Sequence, residues 1–396
     1  MTAAAWTSLA PQTPRLGAAL WRAASVYALT TLLVLHATFR GLYADLDAAI
    51  YAAWYTELGA LSALDFFERL QESGWIFQAR EQAIAKFESG FSLLSWLLAS
   101  VGLSVQGYFA VIAALSLYPK AYIALRYSPY PLLSIVWYAS FCYLLLEMNA
   151  MRAGLAAALM LMAIPALLQQ RWPKYFVLIG VASAFHTAAL IALLLPAARA
   201  LSRHALLLTL VVVSAIVLSL FDITVALALL GGTFEKIAEY KAAFDTGFGD
   251  VAYVRLNPIN SSSVPFMVIG AMLVYKAFGR GPERFEHDRF AAVVVLLPIL
   301  ALFAFASFPI VGSRLSELLC VYQMIFVTRL VDQYPTLGLG RLVLAFTLVI
   351  QFSIQQYLTL HVDALYFVGA ARPAMLLLIE QKTVIDAVLA EIFSTL

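Results

Sequence analysis

Apolar runs of membrane length recur along nearly the whole chain, with polar residues gathered in short bursts between them. A helix needs roughly 20 residues to cross the hydrocarbon of a bilayer. The runs are Trp21–Thr38, Phe91–Leu117, Leu132–Leu146, Leu155–Leu168, Tyr175–Leu195, Leu206–Leu230, Val264–Phe278, Phe290–Phe308, Leu315–Val327, Leu342–Leu360 and Leu365–Ile379. They predict an all-α polytopic integral membrane protein, residues 1–396 forming a single transmembrane domain of about 10–12 spans. Phe91–Leu117 is long enough to be one tilted helix or two helices hinged near Gly102–Gly107. Several other runs are short for a span. Broken or re-entrant helices are expected there, and these are tolerated only when buried in protein or lining a wet cavity.

Polar connections set the orientation. Residues 40–88 hold eight acidic and four basic residues, and 231–263 form a second long connection of mixed charge. Short basic loops favour the cytoplasm. Arg15 and Arg22, Lys276–Arg289, and Arg329 with Arg341 therefore read as cytoplasmic, and 40–88 and 231–263 as external loops. Most charges in 40–88 read as the solvated face of external amphipathic helices. Lys120, Arg126, Arg171, Lys174, Arg199 and Arg203 also favour the inside. They cannot all lie there if every apolar run crosses once, so one short run must be re-entrant or broken.

Composition agrees with the pattern. The chain is 63% hydrophobic and 12% charged, with mean hydropathy +0.87, against about 25% charged in soluble domains. A net charge of +2 gives no reason to expect nucleic acid. Cys142 and Cys320 lie in apolar runs and read as buried small residues rather than a disulfide framework. Walker A, HExxH, GxSxG, Cys/His metal spacings and Gly-rich nucleotide fingerprints are all missing from the sequence, so no cofactor and no metal is expected.

Ionisable groups at membrane depth are costly and are functional candidates by default. Glu88 stands where the first external loop meets the second apolar run, either as an N-terminal acid favoured by the helix dipole or as an active-site carboxylate. Arg152 lies in the polar knot Glu147-Met148-Asn149-Ala150-Met151-Arg152, where a Glu147–Arg152 ion pair is the plainer reading. His186 sits near the middle of Tyr175–Leu195. Arg314 and Glu317 follow a loop too short to carry an arginine far from the bilayer. Gln351 and Gln355 share a helical face and read as contacts between helices.

These landmarks occur in a fixed order: Arg40-Gly41-x₃-Asp45; Glu88-Ser89-Gly90-Phe91-x-Leu93-Leu94; Met151-Arg152-Ala153-Gly154-Leu155-Ala156; the basic pair Arg171 and Lys174; Ala184-Phe185-His186-Thr187-Ala188; and Ser313-Arg314-Leu315-Ser316-Glu317-Leu318. The series resembles the EpsG family of Wzy-like polysaccharide polymerases, with Ser89 where proline is common and Thr187-Ala188 where Lys-Ser is common. The resemblance implies a metal-independent glycosyltransferase of the bacterial inner membrane. It would join undecaprenyl-pyrophosphate-linked oligosaccharide units at the external leaflet, alongside a flippase and a chain-length regulator. By the same implication, Arg152 and Arg314 would bind the pyrophosphate, and Glu88 or His186 would serve as base. Arg40, Asp45, Tyr51 and Glu317 would contact substrate, and Tyr43, Trp54 and Trp75 would offer faces to sugars. A transporter or flippase, or an O-antigen-ligase-type enzyme, are the alternatives. No repeated halves of the kind transporters show are visible.

Overall fold

The computed structural model describes residues 16–39, 46–73, 76–78, 86–220, 286–306 and 309–333. The runs expected at Val264–Phe278, Leu342–Leu360 and Leu365–Ile379, the connection at 231–263, and Gln351 and Gln355 lie outside these residues. Within them the fold is helical, apart from one short hairpin. Helices α1 (Leu16–Thr38), α2 (Leu46–Gly59) and α3 (Ala63–Ser73) lead into the antiparallel strands β1 (Ile76–Gln78) and β2 (Lys86–Glu88). The strands pair Ile76 with Glu88, Phe77 with Phe87 and Gln78 with Lys86. Then follow α4 (Ser89–Ser100), α5 (Val105–Tyr127), α6 (Pro131–Phe141), a π-helix (Leu144–Asn149), α7 (Met151–Leu168) and α8 (Trp172–Phe185). A 3₁₀ helix (Thr187–Leu194), α9 (Leu195–Leu201), α10 (Ala205–Leu220), α11 (Glu286–Ala304), α12 (Pro309–Cys320) and α13 (Gln323–Gln333) complete the described chain.

Among the described residues, three helices are long and apolar enough to cross a membrane: the Ala19–Thr38 part of α1, α5 and α7. Shorter apolar helices stand around them, including α4, α6, α8, α10 and the Arg289–Ala304 part of α11. The protein is a multi-pass α-helical membrane protein. Burial ranks the spans: 17% of α1 is buried against 78% of α7. Small residues explain the central place of α7. Ala153, Gly154, Ala156, Ala157, Ala163 and Ala166 let α5 and α8 approach it closely. Helix α1 packs on the outside of α5 and exposes Trp21 and Leu32, as a lipid-facing helix should. Cys142 and Cys320 are buried thiols that form no disulfide, the Cys142 Sγ donating to the Cys320 Sγ at 2.8 Å.

The Phe91–Leu117 run resolves into the hinged alternative, α4 and α5, joined at residues 101–104. Helix α5 continues past Leu117 through Pro119 and Lys120 to Tyr127. Lys120 is therefore a fully buried helix residue rather than a loop charge. The Tyr175–Leu195 run is not one helix but two, broken at His186 (φ −155°, ψ 113°). The 3₁₀ helix and α9 carry the chain back across, a rise of roughly 26 Å at about 2.0 and 1.5 Å per residue.

That break settles the conflict among the basic residues. Arg22 donates to the carbonyls of Ser128 and Pro129, 2.8 Å from each. Arg199 donates to the carbonyl of Leu167 at 2.9 Å. Ser128 meets Thr328 of α13 at 2.8 Å, and Phe290 meets Phe326 edge-on. Arg22, Arg126, Arg171, Lys174, Arg199, Arg203 and Arg289 thus stand at one end of the bundle, while the starts of α4, α7 and the 3₁₀ helix lie at the other.

At that second end, α2, α3 and the β1–β2 pair fold onto the bundle instead of standing clear of it. Helix α3 is amphipathic as expected, burying Phe66 and exposing Glu68 and Glu72. Helix α2 is not a solvated helix: Tyr51, Trp54, Tyr55 and Leu58 are buried. Trp54 stacks on Phe91 at 5.6 Å between ring centroids, and Tyr55 on Tyr108 at 4.2 Å. Trp54 has no face to offer a sugar. Tyr43 and Trp75 lie outside the described residues.

Candidate functional site

Three close approaches bring the polar residues together. Strand β2 ends at Glu88, which is also the N-cap of α4 but makes no side-chain cap hydrogen bond. Its carboxylate turns instead toward α7 and the break after α8. Gly90 allows this. A Cβ there would lie 2.7 Å from the Ala184 carbonyl oxygen, so only glycine lets the first turn of α4 press on the end of α8. Gly154 does the same for α7, where a Cβ would lie 2.5 Å from the Leu146 carbonyl oxygen in the π-helix.

The Arg152 guanidinium forms an ion pair with Glu88 Oε2 through Nη1. Its Nε donates to the Tyr51 hydroxyl at 3.2 Å, and its Cζ lies 4.6 Å from the Phe87 ring centroid. Glu88 Oε1 accepts from the Thr187 backbone N–H at 3.1 Å and from the Thr187 hydroxyl at 3.3 Å. His186 Nδ1 lies 3.3 Å from the same oxygen. Both oxygens of Glu88 are therefore engaged. Burial alone would raise its carboxyl pKa, but Arg152, His186 and Thr187 outweigh it and hold the group well below the usual carboxylate range.

A cavity of about 250 Å³ opens beside this cluster, lined among others by Asp47, Glu88, Arg152, His186, Thr187 and Arg314. Glu88 is 2% exposed, whereas the Arg152 and Arg314 side chains keep 21% and 41% of their surface free. Glu317 pairs with Arg314 at 3.5 Å, one helical turn along α12. Four residues singled out in the sequence (Glu88, Arg152, His186 and Arg314) thus share one wall-to-wall space. Tyr51 supports Arg152 from behind. Arg40 and Asp45 lie outside the described residues.

The Glu147–Arg152 pair, the plainer of the two readings of Arg152, does not form. Glu147 is bound by Lys120 at 2.5 Å, leaving Arg152 to Glu88. The reason is geometric: the π-turn and Ala150 (φ −100°, ψ 63°) separate the two residues and aim them at different neighbours. Sequence reasoning also passed over Thr187, whose N–H is freed by the helix break and taken up by Glu88. Its only signal was its place directly after an isolated histidine in an apolar run.

Chemically, the cavity offers two guanidinium groups, one imidazole and one carboxylate whose two oxygens are both engaged. Only two of the five guanidinium N–H groups of Arg152 are occupied by Glu88 and Tyr51. The side chain is 21% exposed and lines the cavity, where its further donors suit an anion. Among the described residues there is no group of three or more His, Cys, Asp or Glu side chains that could hold a metal ion.

A sequence model of the EpsG family matches residues 24–368 of the chain. No curated protein and no solved structure matches it significantly.

Proposed function

The chain belongs to the EpsG family, a family of Wzy-like polysaccharide polymerases, and we propose that it lengthens a surface polysaccharide from undecaprenyl-pyrophosphate-linked oligosaccharide units. The observation that carries this reading is the single cavity shared by Arg152, Arg314, His186 and Glu88. At about 250 Å³ it is slightly below the roughly 300–1,000 Å³ of ligand clefts. It suits the reacting head of a substrate rather than a whole repeat unit.

In the proposed reaction, a terminal sugar hydroxyl of one unit attacks the anomeric carbon of another lipid-linked chain. A new C–O glycosidic bond forms as the bond from that carbon to the pyrophosphate oxygen breaks. The leaving pyrophosphate keeps the electron pair, and Arg152 and Arg314 stabilise the growing charge. The hydroxyl proton passes to His186. Glu88 is the poorer base, because both its oxygens are engaged and its basicity is depressed. It serves instead to orient His186 and Arg152, as a buried carboxylate orients imidazole in hydrolytic triads. Neither ATP nor a metal ion enters this scheme.

The distribution of basic residues supports an external active site. The end carrying Arg22, Arg126, Arg171, Lys174, Arg199 and Arg203 would be cytoplasmic by the positive-inside rule, and the cavity lies at the opposite end. In a bacterium this faces the periplasm or exterior from the inner membrane.

The test is cell-free. Purified protein in lipid nanodiscs receives a defined undecaprenyl-pyrophosphate oligosaccharide without ATP or divalent metal. Lengthening of the glycan in unit steps is the expected result. Movement of the lipid between leaflets without new glycosidic bonds would overturn the proposal in favour of a flippase.

A further inference from the structure

The most deeply enclosed charges of the described residues lie beneath the cavity rather than in it. Lys120, in the middle of α5, and Glu147, in the π-helix, have side chains 0% and 1% exposed. Lys120 Nζ donates to Glu147 Oε1 at 2.5 Å, to Ser116 Oγ at 2.6 Å and to the Gly154 carbonyl at 2.9 Å. The Ser116 hydroxyl at 2.8 Å and the Tyr138 hydroxyl at 2.5 Å donate to the same Glu147 oxygen. The Tyr138 ring also lies 4.8 Å from the ammonium. Helices α5, α6 and α7 and the π-helix therefore converge on one buried ion pair.

Such a pair is poorly explained by stability. The cost of desolvating two charges offsets most of their attraction, and apolar replacement of both partners is often neutral or favourable. What an apolar cluster could not supply is direction. Gly154 lies in the first turn of α7, two residues after Arg152, and Glu147 lies in the π-turn just before the bend at Ala150. By holding both at once, Lys120 fixes how the start of α7 is rotated against the π-helix. A π-helix is rare and concentrates at functional sites, and this one carries the carboxylate that Lys120 holds.

We infer that Lys120 and Glu147 are positioning residues for the reaction proposed above. They set the rotation of the first turn of α7 so that Arg152 reaches Glu88, Tyr51 and the cavity together. Neither lines the cavity or touches substrate. The inference rests on the polymerase reading for its consequence in turnover, but its geometric part stands without it.

The test uses the full-length protein in nanodiscs. Lys120→Met with Glu147→Leu removes both charges so that neither is stranded, and Glu147→Gln keeps the hydrogen-bonding shape while removing one charge. Two readouts are taken: glycan elongation kinetics, and the ¹⁵N resonances of histidine-labelled protein, in which His186 reports on Glu88 without any substrate. The double variant is expected to fold, with kcat lowered about 100-fold, as a displacement near 1 Å can do, an almost unchanged KM, and a shifted His186 resonance. An unmoved His186 resonance overturns the inference, whether or not kcat falls. If the double variant does not fold, the His186 resonance of Glu147→Gln decides in the same way. Elongation by the wild type with an unmoved resonance in the variants sinks this inference alone. A shifted resonance with no elongation by the wild type sinks the polymerase reading alone.

Discussion

Glu88 and Arg152 stand 64 positions apart in the chain and meet as an ion pair, with the carboxylate buried and the guanidinium still open to the cavity. The planar fork matters here, because one guanidinium serves Glu88, Tyr51 and the cavity at once. Lysine carries the same charge without that fork. Arg152→Lys and Arg314→Lys are each expected to lower kcat by about 10²–10³-fold without loss of membrane expression. Near-normal elongation by both variants would refute the role of the arginines.

The acid behaviour of Glu88 follows from its contacts. Its carboxyl pKa is lowered on folding, so the stabilisation it gives is complete above the unfolded value of about 4.3. That stabilisation fades as pH falls from there toward the folded value. Glu88→Gln removes this acid-sensitive contribution. Thermal unfolding followed from pH 7 down to pH 3 should show a shallower decline for the variant than for the wild type, from a lower starting Tm. Parallel curves would show that Glu88 is not held as described.

Gly90→Ala tests the approach of α4 to α8. The added methyl would meet the Ala184 carbonyl oxygen at 2.7 Å and must displace backbone. A destabilisation of about 1–3 kcal/mol is expected, with elongation reduced further because Glu88 and His186 are carried on the two displaced segments. A wild-type Tm together with wild-type activity would contradict it.

Trp54 separates an aromatic core from a sugar platform. It is fully buried against Phe87 and Phe91. Trp54→Ala should therefore cost about 3–5 kcal/mol of stability and leave the KM for lipid-linked oligosaccharide unchanged in the folded fraction. A raised KM at intact Tm would restore the platform reading.

Much of this arrangement was legible in the chain itself. Apolar runs and their polar interruptions pointed to a multi-pass helical protein, and Glu88, Arg152, His186 and Arg314 stood out because charge is expensive in hydrocarbon. What stayed hidden depended on contacts far apart in sequence. Nothing local marks the break at His186: Ala184, Phe185 and Thr187 all tolerate a helix, and no glycine or proline intervenes. The break is stabilised by Glu88, which accepts the Thr187 N–H that a continuous helix would have used. The burial of Lys120 is hidden for a similar reason. Beside Pro119 it looks like the end of a span, and its partner lies 27 residues away on another element.

The break at His186 also has a consequence for handedness across the bilayer. Each crossing reverses the side on which all later residues emerge. Were residues 172–201 to span as one straight helix, the chain after Leu201 would be inverted, and α12 would deliver Arg314 to the leaflet opposite Arg152. The two arginines face the same water because the chain doubles back at a histidine, so a local lapse in helical hydrogen bonding decides the sidedness of a residue 128 positions later.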